Sequence, residues 1–171
     1  MIPGALGQGG SNYTGKWSDR GYAAPCASPD SWPYWQRVNV GSVTYTDQNG
    51  GVWSADKSFR VGSWGYRKGG ARSSTIPVEG TEDDRLYQTF RDNMDSYGFS
   101  APAGLYEVTL RFAEFTARTA TERMMRISLE GTVVEEGLSI WGETGGRNIA
   151  LDRTYQVEMS DGVLDILFAK Q

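Results

Sequence analysis

The chain has 171 residues and a mass of 18.9 kDa, enough for one domain with a core and too little for two. A net charge of -4 and a pI of about 4.9 argue against nucleic-acid binding, which needs a basic surface. The absence of histidine excludes Ser-His, Cys-His and histidine-metal sites, and the one cysteine, Cys26, leaves no internal disulfide.

Met1 to Gln8 has neither a basic start nor a continuous apolar segment, so it does not read as a secretory signal. The expected compartment is cytoplasmic if Met1 is the native start and extracytoplasmic if a leader has been removed. No stretch is apolar enough to predict a spanning helix, so membrane association is expected only through a partner. Asn12-Tyr13-Thr14 matches a glycosylation acceptor, a pattern short enough to arise by chance.

Residues 1–36 contain six glycines and four of the six prolines but only two branched aliphatics, Ile2 and Leu6, so they cannot build a core. They read as an arm. It carries Tyr13, Trp17, Tyr22, Trp32, Tyr34 and Trp35, an aromatic load that a disordered linker lacks and an anchoring segment needs. Two readings stand: the arm folds back over its own domain and covers a sheet edge, or these six rings dock it onto a partner.

Residues 37–171 read as β structure. Arg37 to Thr46 predicts a strand with Val38 and Val40 inward, followed by a turn at Asn49-Gly50-Gly51. Thr81-Glu82-Asp83-Asp84 resembles a helix start, while Leu86 to Phe90 reads equally as a short strand. Tyr106, Val108, Leu110 and Phe112 alternate onto one face, as do Met125, Ile127 and Leu129. Tyr155, Val157 and Met159 precede Asp161-Gly162, and Leu164, Ile166 and Phe168 follow it, which predicts a closing hairpin. Short strands, frequent glycine and no long 3.6-residue period favour an all-β antiparallel sandwich.

Several segments carry a family resemblance. Arg37-Val-Asn-Val-Gly, Asp47 with Trp53-Ser-Ala-Asp56, Thr81 to Arg91, Tyr97 to Pro102, Tyr106 to Glu114, Arg126 to Gly131 and Asp161 to Phe168 occur in an order that resembles the malectin-like carbohydrate-binding domains, over about four fifths of the chain. The resemblance implies a jelly-roll β-sandwich without catalysis or cofactor, in which Leu86 to Arg91 is a strand. It also implies loop aromatics that stack on sugars. At those family positions this chain has Asp92, Thr116 and Ala117, and the family's late aspartate has no counterpart. Trp64 and Tyr66 stand where a third aromatic would lie.

A shifted sugar site would draw on Trp64, Tyr66, Arg91, Asp92, Glu114 and Thr116, one stacking surface with a polar rim; alternatively, Trp64 and Tyr66 only pack. The acidic turns at Glu79 to Asp84 and Asp47 to Asn49 lack the ligand alternation of a calcium loop, and Gly142 to Gly146 lacks the residues of a phosphate loop. The leading expectation is a non-catalytic accessory subunit docked into a larger protein assembly by its arm. The other is a carbohydrate-binding module for a glucose-type oligosaccharide near Trp64 and Tyr66.

Overall fold

A computed structural model describes residues 4–6 and 34–171. Four of the arm's rings, Tyr13, Trp17, Tyr22 and Trp32, lie outside the described residues. In chain order the elements are β1 (Gly4–Leu6), β2 (Val38–Asn39), β3 (Tyr45–Thr46), β4 (Val52–Ala55), β5 (Trp64–Tyr66) and β6 (Gly70–Ser73), then α1 (Arg85–Gln88), β7 (Thr89–Asp92), β8 (Ser96–Ser100) and β9 (Gly104–Phe112). They continue with β10 (Met125–Leu129), β11 (Thr132–Leu138), α2 (Ile140–Thr144), β12 (Leu151–Met159) and β13 (Val163–Lys170).

Two sheets form the sandwich, one ordered β1-β9-β12 and the other β11-β10-β13-β8-β5. Smaller sheets, β2-β4-β3 and β6-β7, flank them, and every pairing between these described strands is antiparallel except β2 with β4. The alternation in β9 has its expected consequence: Tyr106, Val108, Leu110 and Phe112 are all buried and face Ile127, Leu129, Leu164 and Ile166 of the other sheet. Val38 and Val40 join this core, as does the edge-on contact of Tyr34 with Tyr106. A second core gathers Trp53, Val78, Leu86, Tyr87, Phe90, Ala113 and Phe115, with Phe90 stacked on Phe115.

Three expectations need correction. The last two strands do not form a hairpin: β12 pairs along its length with β9, whereas β13 lies between β10 and β8 in the opposite sheet. Asp161-Gly162 therefore crosses between layers, with Gly162 at φ 89° and its carbonyl accepting the Ala101 amide. Alternation reports which face is buried and says nothing about which strand lies alongside. Leu86 to Arg91 is not one strand either. A single helical turn, α1, turns Leu86 and Tyr87 into the second core before β7 begins at Thr89. Its Asp84 cap makes no side-chain bond, and Thr81 Oγ1 instead accepts the Asp83 amide.

Arg37 to Thr46 is likewise split into β2 and β3. Gly41 interrupts it at φ 74°, where a Cβ would collide with the Phe90 carbonyl oxygen. The turn after β3 falls at Asn49-Gly50-Gly51 as expected, closed by Asp47 N–H to Gly51 O and Gly50 N–H to Asp47 O.

In the arm, Gly4–Leu6 pairs antiparallel with β9, Gly4 opposite Leu110 and Leu6 opposite Val108. This part of the arm covers an edge of its own domain's sheet. Among the described residues no helix is long and apolar enough to cross a membrane.

The short α2 is held at both ends. Ser139 Oγ accepts the Gly142 amide at 3.0 Å, and Gly145 closes the helix in the left-handed region at φ 75°. Ser139→Ala should lower stability by about 1 kcal/mol, the usual value of an N-cap, as read from a urea midpoint.

Candidate functional site

The polar centre of the predicted sugar site lies between β7, β5 and β8. Arg91 of β7 donates through Nε to Asp56 Oδ2 at 2.6 Å and through Nη1 to Gly69 O at 2.8 Å. Its guanidinium lies 3.1 Å from the Tyr66 ring centroid. Asp56 also accepts the Tyr97 hydroxyl at 2.7 Å on Oδ1 and the amides of Lys57 and Gly41. The side chains of Arg91 and Asp56 are 8% and 2% exposed, so the pair is enclosed and its hydrogen-bonding groups are spoken for internally. Burial opposes the Arg91 charge, yet Asp56 more than offsets it and raises the Arg91 pKa; burial, then Asp56, push the Tyr97 hydroxyl well above its ordinary value.

Trp64 belongs to the interior. Its residue is 9% exposed, it stacks on Phe99 with ring centroids 6.2 Å apart, and the Lys57 ammonium sits 4.3 Å from its centroid. A sugar platform needs an open ring face, and these neighbours occupy the approaches to Trp64. Tyr66 is half-buried, edge-on to Tyr97 and carrying Arg91 on its face. Gly65 between them has φ 153° and approaches the backbone of Lys57 to Phe59 too closely for a Cβ.

Glu114 is also enclosed, at 2% exposure. Its Oε1 accepts the Thr116 and Ala117 amides at 2.6 and 2.8 Å and the Thr116 hydroxyl at 3.1 Å. Burial raises its pKa, but those two amides and Arg123 outweigh burial and hold it below the usual carboxylate value. It pins the loop that follows β9. Asp92 pairs with Arg72 at 2.9 Å, and Thr116 is exposed while Ala117 is buried. The structure thus brings Tyr66 and Arg91 together and Glu114 and Thr116 together, and pairs Asp92 with Arg72. The residue that organises the centre, Asp56, was not among the predicted site residues. Its signal lay in the Trp53-Ser-Ala-Asp56 segment.

The family follows from the whole sandwich. A family model described as the malectin domain matches residues 34–171. The chain belongs to the malectin domain family. Malectin of Danio rerio is 29% identical over 136 residues, 75% of this chain and 45% of that protein, and Malectin of Homo sapiens is 27% identical over 75% and 44%. The chain therefore spans less than half the length of these curated malectin relatives. Among solved structures, part of a beta-glucuronidase of Bacteroides uniformis is similar to this chain, with a TM-score of 0.75, 36% identity, and coverage of 80% of this chain and 16% of that one. The ANX2 ectodomain of Arabidopsis thaliana shares the fold, with a TM-score of 0.63 at 18% identity over 78% of this chain and 43% of that one.

Proposed function

We propose that this chain is a non-catalytic malectin-type module that serves as an accessory, structural unit of a larger assembly. The observation that carries this reading is the enclosure of the groups predicted to grip a sugar. Trp64 lies between Phe99 and Lys57, Arg91 is bound to Asp56 and Gly69, and Glu114 is occupied by its own loop. The similar unit that makes up 16% of the Bacteroides uniformis beta-glucuronidase chain supports a role as one part of a larger protein. In this reading Tyr13, Trp17, Tyr22, Trp32 and the exposed Trp35 supply the docking rings of the arm, while Tyr34 is taken up by Tyr106 of the sandwich itself.

Family membership favours a second reading, in which the half-buried Tyr66 ring and Asp92 form the rim of a site for a neutral gluco-oligosaccharide. Titration with neutral gluco- and galacto-oligosaccharides separates the two by tryptophan fluorescence. No response is expected. A saturable response abolished by Tyr66→Ala would replace the structural reading with the sugar-binding one.

A further inference from the structure

The turn at Asn49-Gly50-Gly51 holds a reactive pair that the packing of the sandwich does not use. Asn49 and Gly50 are both exposed, and the Asn49 carboxamide makes no hydrogen bond among the described residues. Gly50 stands at φ 81° with nothing within 4 Å of the place a Cβ would take. The Gly50 backbone nitrogen is therefore a nucleophile beside the Asn49 carboxamide that no side chain shields. That nitrogen donates to Asp47 O at 3.0 Å, a bond at an exposed tip that opens at little free energy.

No other described asparagine combines these features. Asn39 is 2% exposed, donates through Nδ2 to Val43 O, accepts the Thr89 hydroxyl on Oδ1 and is followed by the β-branched Val40. Asn148 has a buried Oδ1 and precedes the β-branched Ile149, and Asn93 precedes the buried Met94.

We propose that Asn49-Gly50 is a self-modifying site at which the chain deamidates to an isoaspartyl form, whose free α-carboxylate makes it a substrate for methyl transfer. The Gly50 nitrogen attacks Asn49 Cγ and forms a C–N bond; the bond from Cγ to the carboxamide nitrogen breaks, and ammonia leaves with the Gly50 proton. The product is a five-membered succinimide, which water opens. Opening at the Asn49 α-carbonyl leaves the main chain running through Cγ, and opening at Cγ leaves an ordinary aspartate. Either product carries a new carboxylate.

The isoaspartyl form changes more than charge. Asp47 Oδ1 accepts the Asn49 and Gly51 amides at 3.0 and 2.7 Å, and its Oδ2 accepts the Trp53 indole N–H at 2.8 Å. Gly51 lies so close to Asp47 and to Arg37 Nη1 that a Cβ there would collide with both. Gln48 donates its amide to Asp83 Oδ1 and its Nε2 to Glu82 O, which ties the turn to the segment before α1. An additional main-chain carbon between Asn49 and Gly50 displaces Gly51 from Asp47 and loosens the support of Trp53, buried in the second core.

The test ages the full chain at body temperature and mildly alkaline pH, folded and in urea. Asn49 is followed by peptide mass and by methyl transfer from labelled S-adenosylmethionine with a protein isoaspartate methyltransferase. The folded chain should react within about tenfold of the unfolded rate, the allowance for opening one exposed turn bond. Isoaspartate should exceed aspartate among the products, and Asn49→Ser should abolish methyl acceptance. A folded rate below that allowance, faster reaction at Asn39, Asn93 or Asn148, or methyl acceptance surviving Asn49→Ser would each overturn the site. The isoaspartyl fraction, separated by ion exchange, should show a lower urea midpoint than the Asn49→Asp variant, which carries the same charge without the extra main-chain carbon. Equal midpoints would overturn the loosening of the turn.

Discussion

Asp56→Ala is expected to destabilise the domain by about 3–5 kcal/mol, the penalty for leaving one member of a buried ion pair without its partner. The substitution strands the Arg91 Nε–H, the Tyr97 hydroxyl and the Gly41 amide at once, in a place where the arginine side chain is 8% exposed. Such a loss is a large fraction of the roughly 5–15 kcal/mol that holds an ordinary domain folded. Urea denaturation would read it directly. The companion double variant, Asp56→Ala with Arg91→Met, separates the pair's own worth from the cost of an orphaned charge. It should be more stable than Asp56→Ala alone, because the methionine needs no acceptor. A single-variant loss below about 1 kcal/mol would mean that water reaches Arg91 and that the centre is not enclosed.

Glu114→Ala should cost about 2–4 kcal/mol, because two loop amides lose a charged acceptor inside the protein. The same carboxylate gives the domain an acid limit. Its folded pKa is lowered, so its contribution is complete above the unfolded-state value and disappears as pH falls through the folded one. Asp47 acts in the same direction: burial raises its pKa, while the Trp53 indole, the Gly51 and Asn49 amides and Arg37 more than compensate. Urea midpoints should therefore fall as pH is lowered below the ordinary carboxylate range. That slope should be shallower in Glu114→Gln than in the parent protein, and an identical slope would remove Glu114 as a cause of acid lability.

Much of the sandwich was legible because period-two alternation is imposed directly by burial: Val108, Leu110, Phe112, Ile127, Leu129, Leu164 and Ile166 all lie in the core. Strand partnership was not legible. Asp161-Gly162 has the composition of a hairpin turn, but the choice between a hairpin and a crossing depends on which strand fills the gap between β8 and β10, which is a tertiary fact. The single turn of α1 was hidden for a similar reason, since four residues are too few for a period and the second core decides their conformation. At the site, the sequence displays aromatic and charged residue types and nothing more. Their commitments could not be read, because Trp64 becomes interior only when β5 pairs with β8, and Arg91 becomes unavailable only when Asp56 reaches it.

The position of β13 also has a kinetic consequence. Residues 163–170 run down the middle of the five-stranded sheet, joining β8 on one side and β10 on the other. On a ribosome, those two neighbours are made first and wait with open edges until this strand emerges. Closure of the layer thus depends on contacts distant in sequence, which slow folding toward the millisecond-to-second range of non-local β topologies. During that interval the exposed edges invite pairing with other chains. Shortening β13 should therefore harm yield through aggregation of newly made chains well before it alters anything a mature molecule recognises.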